Sequence, residues 1–401
     1  MQRRKKGKTI TISPTKFCEK EEKMKASVEV EQEGASRIPA QENSNSSKKK
    51  SSIVKQDRLS HLPDEVIHRI LSSLDAKIAV QTSVLSMRWR YLWTSLQVLN
   101  FHDMSFDDPV LFQCFVEHVL SRRDSSTNLN MLQLVCHDEL DDGYIVDSII
   151  DYVILTGIQV LSILAECVVG KLPQLYACHS LTTLKLADIA TETTTFDFVS
   201  LKHLYLSDCR FECGVEELLD PFGGCTNLRC LFLHGCQYYG KIESFKIYAP
   251  QLTDLSISRM RVDQVFDSDC VIELFTPRLQ SFSYRDFRYL YDFSIKVNLP
   301  FVEKVDIDLG SFDLSDELNE ATNLSLQLIE LFEVMGSVKF LSLSRGIIQV
   351  LSMFPALLDG LSSPFTRVRT FELKMDRPSP VSISTNVVAY LFGGSPEFHC
   401  Y

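Results

Sequence analysis

Ten times between Leu129 and Leu373 the chain repeats one short phrase, apolar-x-x-apolar-x-apolar. It stands at Leu129/Leu132/Leu134, Ile158/Leu161/Ile163, Leu181/Leu184/Leu186, Leu201/Leu204/Leu206 and Leu228/Leu231/Leu233. It continues at Leu252/Leu255/Ile257, Leu279/Phe282/Tyr284, Val302/Val305/Ile307, Val338/Leu341/Leu343 and Val368/Phe371/Leu373. The middle residues are 29, 23, 20, 27, 24, 27, 23, 36 and 30 positions apart. Most of these intervals fall within the roughly 20–29 residues of a repeat that contributes one short strand per unit. Successive strand residues point to opposite faces, so the apolar residues of each phrase share one side and the residues between them the other. One unit cannot bury its own apolar side, and neighbours must stack into an α/β solenoid. The 36-residue interval holds LSLQLIELFEVM (Leu324–Met335), which predicts a helix on the side away from the strands. A further helix is expected over Asn386–Phe392, ended by Gly393.

Ahead of the repeats, residues 57–96 read DRLSHLPDEVIHRILSSLDAKIAVQTSVLSMRWRYLWTSL. Pro63 suits the first position of a helix, where its missing N–H costs nothing. Val66, Ile67, Ile70, Leu71 and Leu74 then fall along one helical stripe. Asp75 is the N-cap expected of a second helix carrying Ile78, Ala79, Thr82 and Leu85. Trp89, Leu92, Trp93 and Leu96, at i, i+3, i+4 and i+7, predict a third. Forty residues cannot bury that much apolar surface by themselves, so the surplus is expected to meet a partner. Val110, Leu111, Cys114, Phe115 and Val119 predict one more helix, a cap or bridge to the repeats.

The opening LPDEVIHRILSSL and the closing VLSMRWRYLW resemble the two ends of an F-box, in order and at that motif's separation. Followed by irregular leucine-rich repeats with phrases such as CTNLRCLFLHGC and APQLTDLSISRM, the whole resembles the plant F-box/leucine-rich-repeat family, with the FBD-associated type among its members. The resemblance covers about 57–392. It implies a three-helix F-box followed by an irregular repeat horseshoe. It also implies docking on a Skp-type adaptor and, through it, on a cullin–RING ubiquitin ligase of the SCF type. Carried over by position, the adaptor contact uses Leu62, Pro63, Val66, Ile67, Ile70, Leu71, Val84, Leu85, Trp89 and Trp93. The expected organisation is a basic tail over 1–56, an F-box over 57–97, a linker and cap helix over 98–128, repeats over 129–392 and a short tail over 393–401.

Charge separates the tail from the rest. Residues 1–56 hold 14 Lys/Arg against 7 Asp/Glu, leaving 27 against 45 of the chain's 41 and 52 for the remainder. The repeats are therefore acidic, which argues against a general nucleic-acid binder. The tail is polar and aperiodic, a composition expected to stay disordered. Its basic runs, Arg3–Lys8 and Lys48–Lys50, suggest a nuclear as well as a cytoplasmic location. No apolar run reaches the length of a membrane span, since Tyr144–Gly170 is broken by Asp147, Asp151, Gln159 and Glu166. No membrane partner is expected. Twelve cysteines with no apolar leader behind the basic N-terminus point to free thiols.

Catalytic signatures are missing: no phosphate-cradling glycine loop, no HExxH and no nucleophile elbow occurs. An enzyme is not expected, and neither a cofactor nor a metal is. The closest approach to a metal motif, Cys209-x3-Cys213 with Cys225, Cys230 and Cys236, lacks zinc-ribbon spacing and suitable histidines. Cys209 and Cys236 each follow a strand by three residues, where this repeat uses Asn or Cys to satisfy turn backbone. The functional surface is expected on the solvent-facing strand residues. There His203, Tyr205, Phe232 and His234 form an aromatic cluster, followed by Asp254, Arg285, Lys304 and Asp306, as the surface for an unidentified protein substrate. The alternative reading is an interaction module independent of any ligase, with the helical segment serving as its cap.

Overall fold

The structure is a computed structural model that describes residues 62–137, 143–263, 271–286, 299–309, 318–374 and 384–393. The basic tail, the acidic run Asp138–Asp142 and residues 394–401 lie outside these ranges.

Among the described residues, eleven parallel strands form the main run of the sheet. In order across it they are β1 (Val98–His102), β2 (Met131–Cys136), β3 (Val160–Val168), β4 (Thr183–Thr191), β5 (His203–Ser207) and β7 (Cys230–His234). Then come β9 (Asp254–Ser258), β12 (Ser281–Asp286), β13 (Lys304–Leu309), β14 (Phe340–Ser344) and β15 (Thr370–Lys374). The middle residues of all ten phrases stand opposite one another, from Leu132 through Leu161, Leu184, Leu204, Leu231, Leu255, Phe282, Val305 and Leu341 to Phe371. A slip of one residue would turn every apolar side chain to water, so burial fixes this register. All ten middle residues are buried. What strand order and pairing establish is a long open sheet.

An eleventh rung precedes the ten. Leu96/Leu99/Phe101 is the same phrase, and Leu99 pairs with Leu132 on β2. The stretch 98–128, expected as a linker with one helix, thus begins with the first strand of the sheet. Its helix follows as α3 (Pro109–Ser121), capped by the Asp108 carboxylate, which accepts from the Val110 N–H at 2.8 Å.

A second set of strands fills the return segments of the middle repeats. β6 (Arg210–Leu219) pairs with the end of β4 and with β8 (Gln237–Tyr248), and β8 also pairs with β10 (Arg261–Asp263) and β11 (Val271–Phe275). The chain enters β6, β8 and β10 through a repeated left-handed corner at Asp208, Gly235 and Arg259, with φ of 52°, 62° and 50°, and the same corner at Asp188, φ 58°, bends β4 before its end pairs with β6. The corner N–H groups of Asp208, Gly235 and Arg259 donate to the carbonyls of His234, Ser258 and Arg285 on the next rung. That pairing holds two non-glycine residues, Asp208 and Arg259, in a conformation they rarely adopt. Beneath lies an aromatic core, with Phe211 stacked on Tyr238 at 4.6 Å and Tyr238 edge-on to Phe245 at 4.9 Å. Cys209 and Cys236 are buried, and their thiols donate to the carbonyls of Leu186 and Leu206 at 3.4 and 3.5 Å. They satisfy turn backbone. Burial also pushes the Cys225 thiol up to about 11, so it stays protonated and unreactive at neutral pH.

Helices occupy the return segments at either end. α4 (Tyr144–Thr156) buries Ile145, Val146, Ile149, Ile150 and Val153, and Gly157 at φ 70° ends it. Near the C-terminus stand α5 (Leu318–Glu333), α6 (Arg345–Met353), α7 (Pro355–Leu358) and α8 (Thr385–Phe392). Gly393 closes α8 at φ 63°.

Candidate interaction surfaces

The helical segment is built from α1 (Asp64–Leu71), α2 (Ala76–Gln81) and two 3-10 stretches, Thr82–Val84 and Trp89–Ser95. Pro63 sits at the N-cap of α1, one position earlier than expected. Asp75 caps α2, its carboxylate accepting from the Lys77 N–H at 2.8 Å. The third helix is a correction: a 3-10 stretch replaces the α-helix expected over Trp89–Leu96. This tighter winding, with about three residues per turn, suits a short connector. It is tied to α1 by Ser95 Oγ against His68 Nε2 at 3.0 Å and by Arg88 Nε donating to Asp64 Oδ1 at 2.9 Å.

Burial splits the ten residues carried over for adaptor contact. Ile67 and Leu71 are buried, and Trp89 and Trp93 are only 5% and 9% exposed. These four belong to a buried cluster that continues through Leu96, Leu99 and Phe101 into the repeats. A partner cannot reach them directly. Their bulk supports the surface from beneath, because a small segment needs its largest side chains for its own core. Leu62 is half-buried, while Pro63, Val66 and Ile70 are exposed. Val84 and Leu85 are 77% and 60% exposed, and Met87 and Tyr91, absent from the expected set, reach 79% and 67%. Ile78 on α2 is also exposed. A periodic stripe reports apolarity and not which half of it the fold covers, so the sequence did not separate the two groups.

The segment is fastened to the repeats at β1. Asn100 Nδ2 donates to the carbonyls of Ser72 and Leu74 at 3.1 and 3.3 Å. The loop between α1 and α2 thereby lies against the solvent-facing row of the first rung.

All eight residues expected to bind substrate lie on the sheet face opposite the repeat core, half-buried or exposed. Five of them are neighbours. His203, Cys230 and Asp254 stand in one row across β5, β7 and β9, and Tyr205 stands opposite Phe232 in the next. The rings of Tyr205 and Phe232 are 6.1 Å apart, and Phe232 stacks with His234 at 6.2 Å. Lys185 Nζ lies 5.1 Å from the Tyr205 ring, within cation–π range. His203 and His234 are oriented by Thr183 Oγ1 at 3.3 Å and Ser258 Oγ at 2.7 Å. Burial raises the Tyr205 phenol, which also meets the Cys230 thiol at 3.8 Å.

Arg285, Lys304 and Asp306 are not in that cluster. A serine stripe, Ser256, Ser258, Ser281 and Ser283, separates them from it. From β5 to β13 there are four strand spacings, about 19 Å at some 4.8 Å each. The distal charges are also largely paired. Lys374 Nζ donates to both Asp306 oxygens at 2.5 and 2.7 Å, and Arg285 meets Asp308 at 3.2 Å. The sheet therefore presents two surfaces, one aromatic and one ionic.

The F-box domain family matches residues 59–101. Among curated proteins of Arabidopsis thaliana, an F-box/LRR-repeat protein is 24% identical over 330 residues, 79% of this chain and 65% of its own length. A putative F-box/FBD/LRR-repeat protein is 31% identical over 212 residues, 51% of this chain and 48% of its own. Another F-box/FBD/LRR-repeat protein is 30% identical over 266 residues, 63% and 60% respectively. The chain thus spans about half to two thirds of the length of the curated relatives it matches. The chain carries an F-box domain joined through β1 to a stack of such repeats, and along most of its length it is similar to plant F-box/leucine-rich-repeat proteins, some of them FBD-associated.

Proposed function

We propose that the chain is the non-catalytic substrate-receptor subunit of an SCF-type cullin–RING ubiquitin ligase. The observation that carries this is the uncovered apolar surface of Val84, Leu85, Met87 and Tyr91. A helical segment acting only as a cap would bury those side chains against the repeats, as it buries Trp89 and Trp93. Large exposed apolar side chains close together mark a surface for another protein. In this reading Pro63, Val66, Ile70, Val84 and Leu85 meet the Skp-type adaptor, with Ile78, Met87 and Tyr91 beside them. The basic runs of the tail favour work in the nucleus, the cytoplasm or both.

The test is adaptor retention by the full chain against a Val84→Asp/Leu85→Asp variant. Both side chains are exposed, so the variant should keep the wild-type unfolding midpoint. Its affinity for the adaptor should fall at least about 100-fold, some 2.7 kcal/mol. A well-folded wild type that retains no adaptor would sink the proposal.

The sheet supplies the other half of the function. Tyr205, Phe232, His203 and His234 form the anchor for a protein substrate, with Asp254 at their edge and the ionic surface of Arg285, Lys304 and Asp306 as a second contact. Holding a substrate there raises its effective concentration near the conjugating enzyme. Aromatic anchors concentrate binding energy, so Tyr205→Ala/Phe232→Ala should lose the substrates trapped by the wild type while keeping the adaptor. Equal trapping by both proteins would remove this face from recognition.

A further inference from the structure

His102 ends β1, Asp103 follows it, and His137 lies one residue beyond the end of β2. Residues 34 positions apart are thus joined by the pairing of the first two rungs. Asp103 is only 7% exposed. One of its oxygens, Oδ2, accepts from the His137 backbone N–H, which fixes the carboxylate. The other, Oδ1, is approached by both imidazoles, His137 Nδ1 at 3.0 Å and His102 Nδ1 at 3.9 Å. The two rings stack at 5.4 Å with 28° between their planes. One ligand atom from each residue lies within 4.8 Å of the other two, and no other such trio of His, Cys, Asp or Glu occurs among the described residues.

We propose that His102, Asp103 and His137 form a binding site for a divalent transition-metal ion, with zinc the best match. Ligands at about 2.0–2.2 Å from a tetrahedral zinc are some 3.4 Å apart. The 3.0 and 3.9 Å separations bracket that value, and all three ligand atoms lie within 4.8 Å of one another. Two imidazoles and one carboxylate suit zinc and its neighbours, whereas magnesium and calcium want oxygen alone. The backbone N–H on Oδ2 is the kind of supporting hydrogen bond that holds a ligating carboxylate in place. Both imidazoles are about half exposed, which leaves an entry path and a fourth position for water. A second carboxylate, Asp75, lies within electrostatic reach of His102. The nearby cation, Lys77, is engaged elsewhere, with Nζ 4.2 Å from the Phe106 ring centre and donating to the Ser105 carbonyl. The competing account is a strand-end latch in which Asp103 only caps β2 and orients His137. A metal at this point would cross-link β1, the strand that carries the F-box, to β2.

The test uses the untagged full chain titrated with Zn(II), and with Co(II) read through its visible absorption. One equivalent should bind at micromolar concentrations without the absorption of thiolate ligation, and the unfolding midpoint should rise to a plateau at one equivalent. His102→Ala/His137→Ala should weaken binding at least tenfold and abolish the rise. Should the double variant misfold, the exposed single change His102→Gln serves, and it should weaken binding while leaving the metal-free midpoint unchanged. Superimposable titrations of wild type and a folded variant, or thiolate absorption on cobalt, would overturn the proposal in favour of the latch.

Discussion

Trp93→Ala is expected to destabilise the chain by about 3–5 kcal/mol, the usual cost of truncating a buried aromatic to alanine. Trp93 is 9% exposed and shares its cluster with Ile67, Leu71, Trp89 and Leu96. Adaptor binding should be lost as well, as a consequence of unfolding. Chemical denaturation and adaptor retention measured together separate the two causes. Val84→Asp/Leu85→Asp should lose binding with an unchanged midpoint, while Trp93→Ala should lose both. A Trp93→Ala protein with the wild-type midpoint and no adaptor binding would return Trp93 to the contact surface. The damage should also spread beyond the helical segment. The buried cluster runs without a break through Leu99 on β1 into the repeats, and Arg123 Nη1 donates to the Leu96 carbonyl across the same junction. The F-box and the first rungs are therefore expected to lose structure together.

Different parts of this architecture were unequally legible in the sequence. The repeat phrase was, because stacking demands the same buried positions in every unit, and even the Phe282 rung falls in register. The first rung was hidden by a competing pattern. Leu96 completes an i, i+7 spacing with Trp89, which reads as the end of a helix, while Leu96/Leu99/Phe101 is equally the repeat phrase. With that rung unread, His102 and Asp103 had no strand partner, so nothing brought His137 beside them. The second set of strands was also out of reach. RFECGVEELL and QYYGKIESFKIY alternate poorly, since β6 and β8 each pack one face on the aromatic core while Val215 and Leu218 project outward. On the solvent-facing sheet the alternation rule correctly located all eight expected residues. It could not show that Asp306 is held by Lys374, a residue 68 positions away.

The interior of the stack should be far less tolerant than its end. Leu231 is fully buried on β7 and packed between rungs carrying Leu204 and Leu255. Leu231→Ala should cost about 2–5 kcal/mol, toward the upper end because two flanking rungs leave the cavity little room to collapse. Leu373 occupies the last position of the final phrase, pairs with Leu343 on one side, and is only half-buried. The same change there removes less buried surface and should cost about 1 kcal/mol, given roughly 25 cal/mol per Å² of apolar area. The two also differ in kind. In a linear stack, stability is close to a sum of unit and nearest-neighbour terms. A defect at Leu231 weakens two interfaces and divides the stack, whereas a defect at Leu373 frays one end. Denaturant unfolding followed by hydrogen exchange resolves this. Leu231→Ala should lower protection on both β5 and β9 and broaden the transition, and Leu373→Ala should affect β14 and β15 alone. Equal midpoint shifts with protection lost uniformly would mean that the eleven rungs unfold as one cooperative block.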